Sequence, residues 1–231
     1  MNIDRAHNIR TQLQQVQQRL QQLTVASPVT LIAVSKTKPV TAIEQAYHAG
    51  QRAFGENYVQ EGMEKTQALA HLADIEWHFI GPLQSNKTKE VAQHFDWVQS
   101  LDREKIARRL NEQRPANMPP LQVLIQVNID DEASKSGIEP DQLASFAQHI
   151  SELPQLRLRG LMAIPAPATT QADQERLAKS FARMHDLFLT LQSQYSTVDT
   201  LSMGMSGDIE LAITQGANMV RVGSAIFGAR T

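Results

Sequence analysis

Lys36 is the residue of this sequence best placed to react with a carbonyl compound. It ends the apolar stretch in LIAVSKTKP, a run typical of a β-strand, which we place at Val29–Ser35. Side chains alternate along a strand, so Ile32, Val34 and Lys36 share one face. Partial burial and a nearby second cation, Lys38, would both favour the neutral amine that forms a Schiff base. The alternative is a solvated lysine in the loop that follows a strand.

Two glycine-containing segments near the C-terminus could bind a phosphate. LSMGMSGDIELAI passes from a strand pattern to a helix pattern through Ser206 and Gly207, and MVRVGSAIFG does so through Gly223 and Ser224. Backbone N–H groups at such openings bind anions together with serine hydroxyls. The alternative is that the glycines only form turns and that Ser206 is a helix N-cap.

Arg221 and His78 are polar residues that strand alternation places in a protein interior. Arg221 precedes Gly223 by two residues, so its side chain should face inward, where it needs a structural carboxylate or a ligand atom as a partner. His78, within EWHFIGPLQSNK, is more typical of a hydrogen-bonded core histidine than of a catalyst.

Three further residues are candidates for contact with a ligand. Met162 and Met203 either form an apolar wall against a ring or fill the core. Asn57 follows the second strand, where it either contacts the ligand or forms a capping box with Gln60.

Strands and helices alternate along the chain in a pattern that predicts an α/β barrel. The predicted strands are Val29–Ser35, Arg52–Gly55, Glu76–Gly81, Trp97–Leu101, Gln122–Ile129, Arg157–Ile164, Thr200–Gly204 and Met219–Gly223. Helix patterns lie near 40–50, 57–70, 85–94, 103–113, 140–151, 172–193 and 207–216. Eight parallel strands can close into a TIM-type (β/α)8 barrel, whose functional groups gather at the carboxyl ends of the strands. An open doubly wound sheet is the rival, but no G-x-G-x-x-G follows the first strand.

An additional N-terminal helix is predicted over residues 3–24. Its apolar residues form one stripe: Ile9, Leu13, Val16, Leu20 and Leu23. A short coiled coil is one use for the stripe, but we expect it to pack on the protein's own core and to fill the gap left by SAIFGART, which is too short for an outer helix. No linker divides the chain, so we expect one domain over residues 1–231.

Composition excludes several classes of function. The 231 residues include no cysteine, which rules out disulfides, zinc–thiolate sites and cysteine nucleophiles. The net charge of −2 gives no reason to expect a nucleic-acid partner, and the seven histidines show no metal-ligand spacing. No apolar run approaches the ~18 residues of a membrane span, and the polar N-terminus has no signal core, so we expect a cytoplasmic protein.

Several segments together resemble the pyridoxal phosphate homeostasis protein family. They are VSKTKP, FGENYVQE, EWHFIGPLQSNK, SKSG in a loop that we place at the barrel rim, RLRGLMAIP, LSMGMSGDIELAI and VRVGSAIFGAR, and they occur in the family's order from about residue 29 to 230. The long strings LSMGMS and RVGSAIFG make the resemblance specific. The N-terminal region is only loosely similar. The chain also ends at Thr231 without the lysine-bearing tail of some members, so tail-dependent behaviour is not expected.

The resemblance implies a barrel similar to the N-terminal domain of alanine racemase, with pyridoxal 5′-phosphate (PLP) bound as a Schiff base on Lys36. It implies that Ser206, Gly223 and Ser224 hold the phosphate, that Arg221 donates to the ring nitrogen, and that Gly207, Asn57, Met162 and Met203 complete the site. It further implies buffering or delivery of the cofactor, with no established catalytic reaction; PLP-dependent apo-enzymes would be the recipients, and we expect a monomer.

Two enzymatic alternatives stay open. A weak PLP-dependent amino-acid racemase would use the same cofactor, but related racemases take one of their two bases, a tyrosine, from a second domain. The tyrosines here are Tyr47, Tyr58 and Tyr195, of which only Tyr58 lies near a strand end that faces the mouth. A Schiff-base aldolase without cofactor would also use a lysine beside a phosphate site.

Overall fold

The computed structural model describes residues 3–23, 28–130 and 136–228, with side chains from residue 8 onward. In this part of the chain eight parallel strands form a closed barrel in sequential order, and β1 pairs with β8. The strands are β1 (Thr30–Val34), β2 (Ala53–Glu56), β3 (Glu76–Phe79), β4 (Trp97–Leu101), β5 (Leu121–Gln126), β6 (Leu156–Met162), β7 (Thr200–Ser202) and β8 (Met219–Val222). The predicted barrel is confirmed and the open sheet is wrong.

A helix follows each strand, and a further helix precedes the barrel. The helices are α1 (Ile3–Leu23), α2 (Val40–His48), α3 (Val59–Ala68), α4 (Thr88–His94), α5 (Glu104–Gln113), α6 (Leu143–Ser151), α7 (Gln171–Gln194), α8 (Ile209–Thr214) and α9 (Ser224–Phe227). Short 3₁₀ turns, Ser85–Lys87 and Pro140–Gln142, lead into α4 and α6. No helix in the described ranges combines the length and the hydropathy needed to cross a membrane.

The N-terminal helix α1 closes the outer ring as predicted. Ile9, Leu13, Val16 and Leu20 are buried in the main hydrophobic core, and α1 packs against α2, α8 and α9. Arg19 also pairs with Glu210 of α8. The apolar stripe is therefore used by the protein's own core, as expected, because β8 is followed only by the single turn of α9.

Two predicted helix starts are wrong. α3 begins at Val59 with Tyr58 as its N-cap, so Asn57 and Gln60 do not form a capping box. The N-cap of α8 is Asp208, not Ser206. In both places a loop separates the carboxyl end of the strand from the helix. The predicted capping residue lies in this loop and not at the start of the helix.

The core has two layers, one between the strands and the helices and one inside the barrel. The interior apolar cluster consists of Ile32, Ala53, Trp97, Leu124, Met162 and Met219. Side chains alternate along each strand, and this places four buried polar residues on the inward faces of β3, β4, β7 and β8. They are His78, Gln99, Ser202 and Arg221. The barrel interior is therefore partly polar.

The fifth strand is shorter than predicted. It ends at Gln126, after which Val127 forms an isolated bridge with Ile138. The segment between them belongs to the predicted rim loop, of which residues 131–135 lie outside the described part of the chain.

Candidate functional site

A cleft of about 520 Å³ opens at the carboxyl ends of the strands. Its lining brings together seven of the nine predicted site residues: Lys36, Asn57, Ser206, Gly207, Arg221, Gly223 and Ser224. They come from the ends of β1, β2, β7 and β8, which meet because β8 pairs with β1. This volume is in the usual range for a small-molecule site.

Lys36 enters the cleft in the register that strand alternation predicts. Ile32 is fully buried inside the barrel, whereas Val34 and Lys36 line the cleft. Thr37 follows with a φ of 62°, and it is the only non-glycine residue with a positive φ in the described ranges. Such a conformation costs of order 1–3 kcal/mol and persists only when the surrounding contacts enforce it.

A buried ion cluster provides those contacts on both sides of Lys36. The Lys65 Nζ atom donates to the Ser35 carbonyl at 2.8 Å, to Glu56 Oε1 at 2.8 Å and to Glu61 Oε1 at 2.6 Å. Glu61 Oε1 in turn accepts the backbone N–H of Thr37 at 2.6 Å. We call Ser35, Glu56, Glu61 and Lys65 the Lys65 cluster. It holds the residues before and after Lys36, and therefore fixes where that lysine leaves the strand.

Burial makes Glu56 an unusual carboxylate. Desolvation raises its pKa, although Lys65 and the Ser35 hydroxyl, which donates to Oε1 at 2.6 Å, oppose that rise. Its second oxygen, Oε2, is buried without a hydrogen-bond donor among the described residues.

Arg221 is buried with its guanidinium at the floor of the cleft. Nη1 donates to Ser202 Oγ at 2.6 Å and Nη2 donates to the Ala163 carbonyl at 2.9 Å. A guanidinium has five N–H donors, so three remain without an acceptor in the described part of the chain. Burial lowers the pKa of Arg221 to about 10 and the Asp208 carboxylate opposes that shift, so the side chain is charged at neutral pH.

The loops after β7 and β8 contribute backbone N–H groups of residues that line the cleft. The N–H groups of Ser206, Gly207 and Ser224 donate to no carbonyl of the described residues. Gly207 and Ser224 are exposed, so solvent or a ligand can reach them. Three free N–H groups, two serine hydroxyls, and the cations Lys36, Lys38 and Arg221 in one cleft favour an anion.

Asn57 places a buried side-chain oxygen at the cleft. Its Oδ1 is buried and accepts no hydrogen bond from the described residues, yet the residue lines the cleft. A Cβ on Gly81 would lie 2.1 Å from the Asn57 carbonyl oxygen, so only glycine lets the segment after β3 approach Asn57 this closely.

Met162 and Met203 do not line the cleft. Met162 is fully buried inside the barrel, and Met203 is fully buried in the core between strands and helices. The interpretation of these residues as core filler fits the structure, and the predicted apolar wall comes from other residues. Met205 and Ile164, each 37% exposed, line the rim of the cleft together with Ile80.

Met205 lines the cleft although sequence patterns do not predict it, because Gly204 turns the chain. In a continuous strand Met203 and Met205 would share a face, but Gly204 has a φ of 97° and turns the chain. A Cβ on Gly204 would also lie 2.6 Å from the Ala212 Cβ. A glycine between two methionines at the end of a strand is the signal that could have indicated this turn.

None of the remaining candidates joins the site. His78 is fully buried inside the barrel, and none of the three tyrosines lines the cleft. Within the described ranges, no three His, Asp or Glu side chains are grouped as a metal ion would require.

Comparison with known proteins identifies the family. The model of the alanine racemase N-terminal domain matches residues 7–231. The pyridoxal phosphate homeostasis protein of Pasteurella multocida is 58% identical over 230 residues, which cover 96% of this chain and 97% of that one. The chain belongs to the pyridoxal phosphate homeostasis protein family. The similarity therefore extends into α1, further towards the N-terminus than the motifs indicated.

Solved structures of PipY and of an alanine racemase share the fold. PipY of Synechococcus elongatus PCC7942, solved with PLP bound, is 36% identical with a TM-score of 0.82, covering 95% of this chain and 100% of that one. Alanine racemase of Clostridium difficile 630 is 16% identical with a TM-score of 0.73, covering 97% of this chain and 57% of that one. The second likeness shows the barrel alone.

Proposed function

We propose that this protein binds PLP in the cleft, holds it reversibly on Lys36, and buffers or delivers it without catalysing a reaction of its own. The observation that carries the proposal is the convergence in one cleft of a half-buried lysine, a buried arginine and three backbone N–H groups that donate to no carbonyl of the described residues. PLP binding by the structurally similar PipY supports it. We further propose that residues 1–231 form one cofactor-binding domain.

The residues present fit each part of the cofactor. PLP supplies an aldehyde that condenses reversibly with a primary amine. Lys36 offers that amine, and the N–H and hydroxyl groups of Ser206 and Ser224, with Gly207 and Gly223 beside them, offer a phosphate cradle. Arg221 offers N–H donors to the ring nitrogen, and Asn57 offers an acceptor at the ring edge.

The lining of the cleft supports a carrier more than an enzyme. Its described residues include no tyrosine, histidine or carboxylate that could act as a second base opposite Lys36. Tyr58 is 53% exposed and lies outside the lining. A permanently charged arginine at the ring nitrogen also keeps that nitrogen unprotonated, which weakens the ring as an electron sink.

We propose that the partners are PLP and PLP-dependent apo-enzymes that receive it, and that the protein acts as a monomer in the cytoplasm. Transfer to an acceptor would use the open side of the cleft, where Met205 and Ile164 are exposed.

A transfer experiment tests the carrier function. The protein is loaded with PLP, desalted, and mixed with an apo-enzyme whose activity requires PLP. The wild-type protein should restore activity in proportion to its bound cofactor, whereas Lys36→Ala, treated identically, should restore little. Failure of the loaded wild type to restore activity would refute delivery.

The racemase alternative is tested in deuterated water. A carrier should exchange the α-hydrogen of added amino acids no faster than free PLP does. Exchange well above that rate, and lost in Lys36→Ala, would establish an enzyme.

A further inference from the structure

A continuous chain of hydrogen bonds runs through the barrel interior from Arg221. Arg221 Nη1 donates to Ser202 Oγ at 2.6 Å, and Ser202 Oγ donates to Gln99 Oε1 at 2.7 Å. Gln99 Nε2 lies 3.0 Å from His78 Nδ1, and His78 Nε2 lies 2.8 Å from Glu76 Oε1. We call Ser202, Gln99, His78 and Glu76 the interior relay.

All the donors of the interior relay point the same way. The amide Nε2 of Gln99 can only donate, so His78 Nδ1 must accept. The ring proton of His78 is then on Nε2, and this N–H donates to Glu76. The donor direction therefore runs from a guanidinium cation at the cleft to a carboxylate at the other end of the barrel. Hydrogen bonds aligned in this way polarise and strengthen one another in a low-dielectric interior.

The far end of the interior relay is anchored on the opposite face of the barrel. Glu76 begins β3, its side chain is 45% exposed, and it lines a cavity of about 440 Å³ together with Trp97 and Arg159. The His78 ring stacks on Trp97 with a centroid distance of 5.1 Å and an interplanar angle of 16°. Burial alone would raise the pKa of Glu76, but the hydrogen bond from His78 and further donors lower it, so the carboxylate is charged.

The interior relay is more than polar filler. Ser202, Gln99 and His78 are completely buried, in positions where apolar side chains would pack at no desolvation cost. The interior relay instead supplies the guanidinium with an oriented acceptor, because Ser202 must donate to Gln99 in order to turn a lone pair towards Arg221. Without this acceptor, the Arg221 guanidinium would be held only by its hydrogen bond to the Ala163 carbonyl and could change its orientation.

We propose that Gln99, His78 and Glu76 are positioning residues that act through Ser202 to aim Arg221 at the ring nitrogen of the cofactor. The inference rests on the proposed PLP function and deepens it. Gln99, His78 and Glu76 are not among the residues that line the cleft. They would nevertheless determine how Arg221 contacts the cofactor.

The test is Gln99→Met, which keeps the approximate shape and removes both links of Gln99. Ser202→Ala removes the hydrogen bond next to Arg221. The matched control is Leu124→Val, since Leu124 lies inside the barrel but outside the interior relay. We expect PLP to leave Gln99→Met about tenfold faster than the wild type, since a guanidinium that is no longer aimed loses its charged hydrogen bond to the ring nitrogen. The visible band of the bound cofactor should also shift. Ser202→Ala should show a larger change in the same direction, and Leu124→Val should match the wild type.

The protein without cofactor supplies an independent measurement. In ¹⁵N NMR spectra the Arg221 Nε–H should give a sharp, slowly exchanging signal in the wild type and Leu124→Val, and a broadened one in Gln99→Met and Ser202→Ala. If both relay variants keep the wild-type band, release rate and Arg221 signal, the interior relay has no positioning role. If the wild type itself takes up no PLP, the proposed function fails, and the NMR signal still decides whether Gln99 positions the guanidinium.

Discussion

At the scale of single residues, a cluster of ion-paired side chains holds the segment that contains Lys36. Lys65 and Glu56 are almost completely buried, and with Glu61 they hold the backbone on both sides of Lys36. Buried ion pairs seldom add stability beyond what apolar residues would give, but breaking one leaves an uncompensated charge. We infer that the Lys65 cluster serves the placement of Lys36 rather than stability.

Replacement of Lys65 by methionine tests this inference. Lys65→Met leaves Glu56 buried without its cation, so the free energy of unfolding should fall by about 3–5 kcal/mol. The double variant Glu56→Gln/Lys65→Met removes the stranded charge and should recover much of that loss. Urea titration measures both.

The double variant separates placement from stability. Although more stable than Lys65→Met, it should still capture PLP on Lys36 more slowly than the wild type, because the Ser35 carbonyl loses its donor and Glu61, which accepts the Thr37 N–H, loses its cation. The control is Lys87→Met, which removes an exposed pair with Glu90 and should cost no more than about 1 kcal/mol. Wild-type capture by the double variant would show that the Lys65 cluster does not place Lys36.

Sequence patterns predicted most of the chemistry-bearing residues but not the side chains that hold them. Lys36, Ser206 and Arg221 sit at strand ends, where alternation and turn glycines point directly to the cleft. Lys65 and Glu61 contact the Lys36 segment from α3, a neighbour in space that no local pattern encodes. Met205 lines the cleft in place of the predicted Met203, because the positive φ of Gly204 interrupts the alternation.

At the scale of elements, α1 completes the ring of helices around a barrel whose last strand is followed by one helical turn. The stripe of four buried apolar residues on α1 made this placement predictable. Helix starts were less predictable, because a residue such as Asn57 suits a cap and a ligand-binding loop equally well. In the structure Tyr58 is the N-cap of α3 and Asn57 lines the cleft.

Leu13→Ala measures how much the barrel depends on α1. Leu13 is completely buried in the main core, so its truncation should lower the free energy of unfolding by about 2–5 kcal/mol. Gln14→Ala, on the exposed side of the same helix, should change it by less than about 0.5 kcal/mol. Equal effects of the two substitutions in a denaturant titration would contradict the packing of α1 described above.

At the scale of the whole molecule, closure of the barrel creates the site. Lys36 and Ser224 are far apart in sequence, but the pairing of β1 with β8 brings the two loops together at one end. The eight-strand alternation predicted this closure, because parallel strands joined by helices place all their carboxyl ends on one face. The interior relay was not predictable, since it depends on the register of β3, β4 and β7 relative to one another.

Reduction with borohydride is the measurement that tests the central claim most directly. The protein is incubated with PLP, its visible spectrum is recorded, and the reduced product is digested to locate the modified residue by peptide mass. A visible band, with the label on Lys36 and absent in Lys36→Ala, is the predicted result. A colourless protein, or a label spread equally over surface lysines in both proteins, would contradict it.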